Sequence, residues 1–273
     1  MTKKEVLDWG FLSEQEILSS GEFIETGFLI VDVESNDSLQ EIRHTVVDIA
    51  SSYLGVSANN DADFLNEFHT GVTVSELNDI RLHLINSLNA EKWFRKHYWT
   101  LVRSHLEMLV GNELAMQLRI NLSIQLPGDD SSLLPVHSDV WSGDSPFEVV
   151  AWLPLVDCYG TKSMFILPPE NSQELSAEFS QHARKSSEEL FQYIEPYVSW
   201  IQIPYGKALI FNQNLPHGNR INQESETRWS LNCRFKSVFS PYGDKKLGEY
   251  FEPITLRAAS FIGMNYHYPK TTP

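Results

Sequence analysis

The sequence predicts an α+β fold: a jelly roll of short antiparallel strands with N-terminal helices packed on it. Two patterns carry that expectation. Apolar residues recur at helical spacing before about residue 113 and at every second position after it. Clusters such as Pro127-Gly128-Asp129-Asp130 and Pro204-Tyr205-Gly206-Lys207 punctuate the later runs as turns. A third observation joins the halves. No repeat, low-complexity tract or linker separates them, so 1–273 reads as a single domain. It comprises a helical support region (1–112), a jelly-roll core (113–240) and a C-terminal extension (241–273).

Each element has a local reason. Ser13 with Glu16 forms a capping-box pattern at the start of a first helix. Gly27–Val33 reads as a strand. Leu39–Leu54 carries Ile42, Val46, Val47 and Ile49 on one side and meets Gly55, so it reads as an amphipathic helix with a stop. Val74–Leu88 and Ala90–Val110 read as two more, the second ending at Gly111. Then the period changes. Gln117, Arg119, Asn121, Ser123 and Gln125 alternate with Leu118, Ile120, Leu122, Ile124 and Leu126, which predicts a strand with one polar face. Strands are also expected at Phe147–Val156, Lys162–Leu167, Val198–Ile203, Lys207–Asn212 and Arg228–Phe239, with a helical insert over about Ser172–Ile194.

Composition excludes several classes of function. Hydrophobic residues at 42 % and charged residues at 21 % are ordinary globular usage. The net charge of −15, with no basic run, leaves no footprint for nucleic acid or an anionic membrane surface. No apolar run is long enough to span a bilayer, and MTKKEVLDWGFLSEQEIL has no signal-like apolar stretch. Cys158 and Cys233, the two cysteines, form no CxxC, which fits a reducing cytoplasm. No Gly-x-Ser-x-Gly, P-loop or Gly-x-Gly-x-x-Gly is present, so hydrolase, NTPase and Rossmann readings have no motif.

The sharpest feature is Pro135-Val136-His137-Ser138-Asp139-Val140. On an extended segment His137 and Asp139 leave on the same face and can reach one cation. Such a pair arises about once by chance in a chain of this composition. A second, His105-Leu106-Glu107, falls in an expected helix, where i and i+2 point apart. His217, in a Pro- and Gly-flanked segment past an apolar strand, is the candidate third ligand, although a histidine there could equally cap a turn. Two imidazoles and one carboxylate form the ligand set of non-haem Fe(II) oxygenases. Eleven residues beyond His217, Arg228-Trp229-Ser230 sets a guanidinium beside a hydroxyl on one strand face, a receptor for a carboxylate. Arg228, Ser230, Asn232 and Arg234 share that face and Trp229, Leu231, Cys233 and Phe235 the other. A solvent-facing edge strand would show the same pattern.

His137-x-Asp139, His217 and Arg228-x-Ser230, in that order, resemble the signature of the 2-oxoglutarate/Fe(II)-dependent dioxygenases, in particular the phytanoyl-CoA hydroxylase-like branch. The Asn-rich Phe211–Asn222 segment and the following strand look closer to bacterial oxygenases of carbohydrate-biosynthesis clusters. The likeness covers residues 113–240. It implies a double-stranded β-helix, or cupin-like jelly roll. It also implies Fe(II) on His137, Asp139 and His217, 2-oxoglutarate held by Arg228 and Ser230, and O2 as oxidant. The implied activity is hydroxylation or desaturation of a small-molecule substrate with release of succinate and CO2. In related halogenases the carboxylate ligand is missing, so Asp139 argues against that chemistry. Candidates for a supporting or substrate-binding shell are Asn121, Ser123, Gln125, Trp141, Trp152, Asn214 and Arg220, each with a plainer role as strand, core or loop residue. The polar strand faces and the two indoles suit a hydroxyl-rich, sugar-like substrate. A cupin-type metalloenzyme that does not use 2-oxoglutarate and a non-catalytic sugar-binding jelly roll are the competing readings.

Overall fold

The computed structural model describes residues 11–182 and 185–269. The first ten residues of the start, two residues of the expected insert and 270–273 of the C-terminal extension lie outside the described residues. Among the described residues no helix is long and apolar enough to cross a membrane.

The helical half follows its capping signals. In α1 (Glu14–Thr26) the Ser13 hydroxyl accepts the Glu16 N–H and the Glu16 carboxylate accepts the Ser13 N–H. Gly27 ends the helix in the left-handed region and leads into β1 (Phe28–Asp32). Helix α2 (Asn36–Leu54) buries Leu39, Ile42, Val46, Val47 and Ala50 and stops at a left-handed Gly55. After α3 (Asp61–Asn66), α4 (Val74–Ala90) buries Leu77, Ile80, Leu84 and Leu88. Each large apolar side chain removed from water in this way stabilises the fold by about 1.5–3 kcal/mol.

The single helix expected over 90–110 is instead α5 (Phe94–Thr100) and α6 (Arg103–Val110). Leu101 and Val102 between them are both buried. Neighbours on a helix diverge by about 100°, so sinking both into one core turns the chain off its axis. The Leu101 carbonyl accepts the Glu34 N–H at 3.0 Å there. His105 and Glu107 do share α6, and Glu107 pairs with Arg103.

The strand expected over 117–125 is also divided, into β2 (Leu114–Gln117) and β3 (Asn121–Gln125). Both pair with the long strand near the C-terminus: Met116 opposite Phe235 and Asn121 opposite Asn232, leaving two extra residues looped out. The Leu118 N–H finds the Tyr250 carbonyl at 2.9 Å, and the Ile120 N–H finds Asn89 Oδ1 at 2.8 Å. An insertion of two keeps the faces in phase.

The remaining elements are β4 (Glu148–Pro154), β5 (Phe165–Ile166), α7 (Pro169–Ala177), α8 (Phe179–His182), α9 (Ser187–Ile194), β6 (Ser199–Trp200), β7 (Lys207–Asn212), β8 (His217–Gly218), β9 (Arg228–Ser237), β10 (Phe251–Pro253) and α10 (Ala258–Met264). The strands expected at 162–167 and 198–203 thus shorten to two residues each, and the described residues of the insert form three helices. An antiparallel seven-stranded sheet, not closed on itself, runs β1-β7-β4-β9-β2-β10, with β3 also on β9. A three-stranded sheet runs β6-β5-β8.

Alternation along the central strands assigns two cores. Val149, Ala151, Leu153, Ala208, Ile210, Trp229, Leu231, Cys233 and Phe235 pack with the helices. Val150, Trp152, Leu209 and Phe211 pack with Cys158, Met164, Ile166, Ile201 and Ile203 of the small-sheet side. The layers are also pinned by hydrogen bonds. Tyr98 of α5 donates to the Ala151 carbonyl at 2.8 Å, and the Trp229 indole donates to the Leu65 carbonyl of α3 at 2.9 Å.

Gly27 ties the first helix to the segment that carries His217. Its carbonyl accepts the Asn212 N–H at 2.9 Å, its φ is 84°, and a Cβ there would press on the Leu215 side chain. Gly27→Ala is expected to cost about 1–3 kcal/mol. Urea denaturation would register it as a lower midpoint at an unchanged slope. An unaltered midpoint would show that the helix–loop contact relaxes freely.

Candidate metal centre

His137 and His217 are brought together by backbone pairing. The His137 N–H donates to the His217 carbonyl at 3.0 Å, and the His217 N–H donates to the His137 carbonyl at 2.8 Å. This antiparallel bridge continues the β5–β8 edge and sets the two rings 4.3 Å apart. Ser138, between the two motif residues, is extended and fully buried, and its hydroxyl donates to the Asn214 carbonyl at 2.9 Å. Asp139 then opens a short 3-10 turn, with its N–H on the Gln213 carbonyl at 3.2 Å. The His-x-Asp segment is therefore laced to the loop that delivers His217.

Both rings are held in one tautomer. His137 Nδ1 and His217 Nδ1 each lie 2.8 Å from a backbone carbonyl two residues back, of Pro135 and Leu215. A carbonyl only accepts, so each Nδ1 carries a proton, and in the neutral ring Nε2 is the nitrogen whose lone pair can reach a cation. Asp139 Oδ1 is 3.5 Å from His137 Nε2. One ligand atom from each of His137, Asp139 and His217 lies within 4.8 Å of the other two, the one such group of three among the described residues. Burial, together with neighbouring His137, pushes His217 down to about 4, so it is a neutral imidazole near pH 7. Burial opposes ionisation of Asp139. The hydrogen bond with His137 and the charge of Arg234 outweigh it and hold the carboxyl well below the usual carboxylate range. A neutral His217 imidazole and an ionised Asp139 carboxylate are donor forms a divalent cation needs.

The triad opens on a cavity of about 100 Å³ between the two sheets, walled by Val150, Trp152, Met164 and Phe211 and floored by Ser123, Arg228, Asn232 and Arg234. Arg228 is 4 % exposed, and among the described residues no carboxylate pairs with it. Nη1 donates to the Ser163 carbonyl and Nη2 to Ser123 Oγ, both at 2.8 Å, while Nε–H has no partner. Burial lowers the guanidinium to about 10, still cationic at neutral pH. Ser230, on the same face of β9, is fully buried with an unpartnered hydroxyl, as is the Ser163 hydroxyl.

The other sequence candidates divide. Ser123 and Trp152 line the cavity. Asn121 pairs with Asn232 at 3.0 Å, beside it. Gln125 is buried and donates to the Arg220 carbonyl at 2.6 Å, which steadies the strand exit after His217. Asn214 donates to the Pro146 carbonyl at 3.0 Å. Trp141 is 43 % exposed and packs on Phe179 of α8, outside the cavity wall. Arg220 also lies away from the cavity, paired with Glu188 at 2.6 Å over the Phe191 ring. Sequence reasoning did not single out Gln213, Gln117 or the pairing of Arg234 with Asp139 at 2.7 Å. The signal for Arg234 was its place on the polar face of β9. Gln213 had none beyond its position in the loop.

No protein-family model matches the chain, and no curated protein matches its sequence. Solved structures do. A nickel complex of ThoJ, described as a non-haem monooxygenase, aligns over 88 % of this chain and 89 % of that one, at TM-score 0.53 and 14 % identity. HygX from Streptomyces hygroscopicus, with nickel and 2-oxoglutarate bound, aligns over 85 % and 89 % at TM-score 0.52 and 15 % identity. EvdMO1 aligns over 82 % of this chain and 50 % of its own, at TM-score 0.53 and 15 % identity. The chain shares the jelly-roll fold of these structures.

Removing either imidazole leaves two of the three side chains that can hold a metal. His137→Ala and His217→Ala are each expected to weaken Mn(II) binding by at least about 100-fold, more than second-layer losses of 10–100-fold. Calorimetric titration, with circular dichroism to check the fold, measures it. Retained affinity in the His217 variant would remove that residue from the ligand set.

Proposed function

We propose that the chain is an Fe(II)- and 2-oxoglutarate-dependent oxygenase that acts on a small, polar, carbohydrate-type substrate. The carrying observation is Arg228: a buried guanidinium without a counter-ion, in the same cavity as a His/Asp/His group. An unpaired charge in such a place costs several kcal/mol, so a ligand carboxylate there is strongly favoured. Its unpartnered Nε–H and the idle Ser230 and Ser163 hydroxyls offer hydrogen bonds to that anion. A dicarboxylate with a chelating 2-oxo acid end suits a cavity lined both by the His/Asp/His group and by an unpaired guanidinium. The triad fits Fe(II) in donor type and in number, three nitrogen and oxygen ligands leaving open positions on an octahedral ion.

Bound Fe(II) would supply the activation of dioxygen that couples decarboxylation of 2-oxoglutarate to oxidation of the substrate. The balanced change joins a substrate C–H, dioxygen and 2-oxoglutarate to give C–OH, succinate and CO2, one oxygen atom in the alcohol and one in succinate. His137 and His217 offer Nε2, with their Nδ1 protons fixed on carbonyls. Asp139 offers a carboxylate oxygen. Arg228 and Ser230 bind the far carboxylate and set the co-substrate's depth. Val150, Trp152, Met164 and Phe211 exclude water.

Several features support a hydroxyl-rich substrate. Asn232, Asn219 and Ser123 bring hydrogen-bonding groups to the cavity, Trp152 brings a flat apolar face, and the net charge of −15 disfavours polyanions. We also place the protein in the cytoplasm, which suits two buried free thiols, and read 1–273 as one domain.

Arg228→Ala is expected to raise the 2-oxoglutarate dissociation constant for Mn(II)-loaded protein roughly 30- to several-thousand-fold, the equivalent of about 2–5 kcal/mol. Ser230→Ala removes one hydrogen bond, about 0.5–1.5 kcal/mol. Anaerobic calorimetry separates the two, and an unchanged constant in the Arg228 variant would move the anion site elsewhere. For the substrate, succinate release is measured with panels of sugars, nucleotide sugars, amino acids and acyl-CoA thioesters. Stimulation by a sugar-bearing compound is expected. Stimulation by an acyl thioester alone would overturn the carbohydrate reading.

A further inference from the structure

We propose that Arg234 is a positioning residue that confines Asp139 to one metal-binding oxygen. The proposal rests on the reading of His137, Asp139 and His217 as a metal site, but not on the identity of the co-substrate. The guanidinium directs two donors at one atom: Asp139 Oδ2 accepts Nε–H at 3.2 Å and Nη2–H at 2.7 Å. A carboxylate oxygen has two lone-pair directions, and both are engaged here. Oδ1, on the His137 side, is the oxygen left for a cation. A one-oxygen carboxylate keeps a further coordination position open. A two-oxygen carboxylate would consume it.

The guanidinium is itself immobilised from three directions. Gln213 Oε1, from the loop after β7, accepts Nε–H at 3.1 Å. The Tyr250 hydroxyl, from the C-terminal extension, accepts from Nη1 at 3.1 Å. Gln117, at the end of β2, accepts the Arg234 backbone N–H at 3.2 Å and reaches Nη1 at 3.5 Å. Gln213 is anchored in turn, donating to the Ser145 carbonyl at 3.0 Å and to Glu148 Oε2 at 2.9 Å. Arg234 is thus a fork of fixed aim, and the clamp gives the extension beyond residue 240 a part in the metal site. A lysine could supply the charge but not two donors on one oxygen.

The test compares wild type with Arg234→Lys, Arg234→Met and Tyr250→Phe, each loaded with Mn(II) or Co(II) alone. Wild type is expected to bind Mn(II) in a one-to-one complex. Arg234→Met is expected to weaken it about 10- to 100-fold, as loss of an outer-shell partner does, and Arg234→Lys by a smaller factor. The visible spectrum of the Co(II) protein reads ligand number and geometry, which a purely structural role would not move. It should change in Arg234→Lys, where charge is kept, and shift slightly in Tyr250→Phe. If Arg234→Met does not fold, Arg234→Lys and Tyr250→Phe decide the matter. Wild-type Mn(II) affinity and Co(II) spectrum in both would overturn the proposal. Wild-type protein that binds Mn(II) but not 2-oxoglutarate would defeat the oxygenase reading and leave this one standing. Failure of wild type to bind Mn(II) would end both.

Discussion

Strand β9 carries two incompatible environments on its two faces, and the rest of the structure accommodates both. Trp229, Leu231, Cys233 and Phe235 are all fully buried against the helices. One residue out of phase, Arg228 is buried and Arg234 half-buried on the opposite face, with positive charges that apolar surroundings cannot hold alone. Arg234 is matched within the chain by Asp139. Arg228 is matched by no carboxylate among the described residues. That asymmetry marks the site: one guanidinium is paired with a carboxylate of the His/Asp/His group, and the other has no carboxylate partner among the described residues. A one-residue slip of β9 would reverse both faces, so pairing along β4, β2 and β3 fixes the chemistry as firmly as it fixes the fold.

The His/Asp/His group that can hold a metal depends on the same economy of short elements. His137 and His217 come from segments with almost no regular structure, yet each ring is oriented by its own backbone two residues back and by a two-way bridge to the other. Loops positioned by a rigid sheet commonly carry function. Here the positioning is done by a short antiparallel bridge on the β5–β8 edge and by hydrogen bonds that involve buried Ser138 and Gln213.

Much of this was legible in the sequence because it rests on periodicity and local chemistry. The two faces of β9, the capping box at Ser13 and Glu16, and the glycine stop at Gly55 need only a few residues to specify them. The triad was legible as spacing plus donor type. Breaks were not. The division of 117–125 depends on Asn89 and Tyr250, partners 31 and more than 100 residues away that no local window contains. The break at Leu101 likewise depends on Glu34. Arg220 and Trp141 show the opposite case. Adjacency to a ligand in sequence suggested a role in the cavity, but loop direction turns Arg220 to Glu188 and Trp141 to Phe179.

The proposed site places a metal and a dicarboxylate in one cavity. The most direct measurement is anaerobic visible absorption of the Fe(II)-loaded protein during titration with 2-oxoglutarate. Chelation by a 2-oxo acid gives a charge-transfer band in the visible. A saturable band is expected at one 2-oxoglutarate per iron, abolished by a metal chelator. Iron that binds at the triad while 2-oxoglutarate, even at millimolar concentration, produces no band would contradict the proposed site.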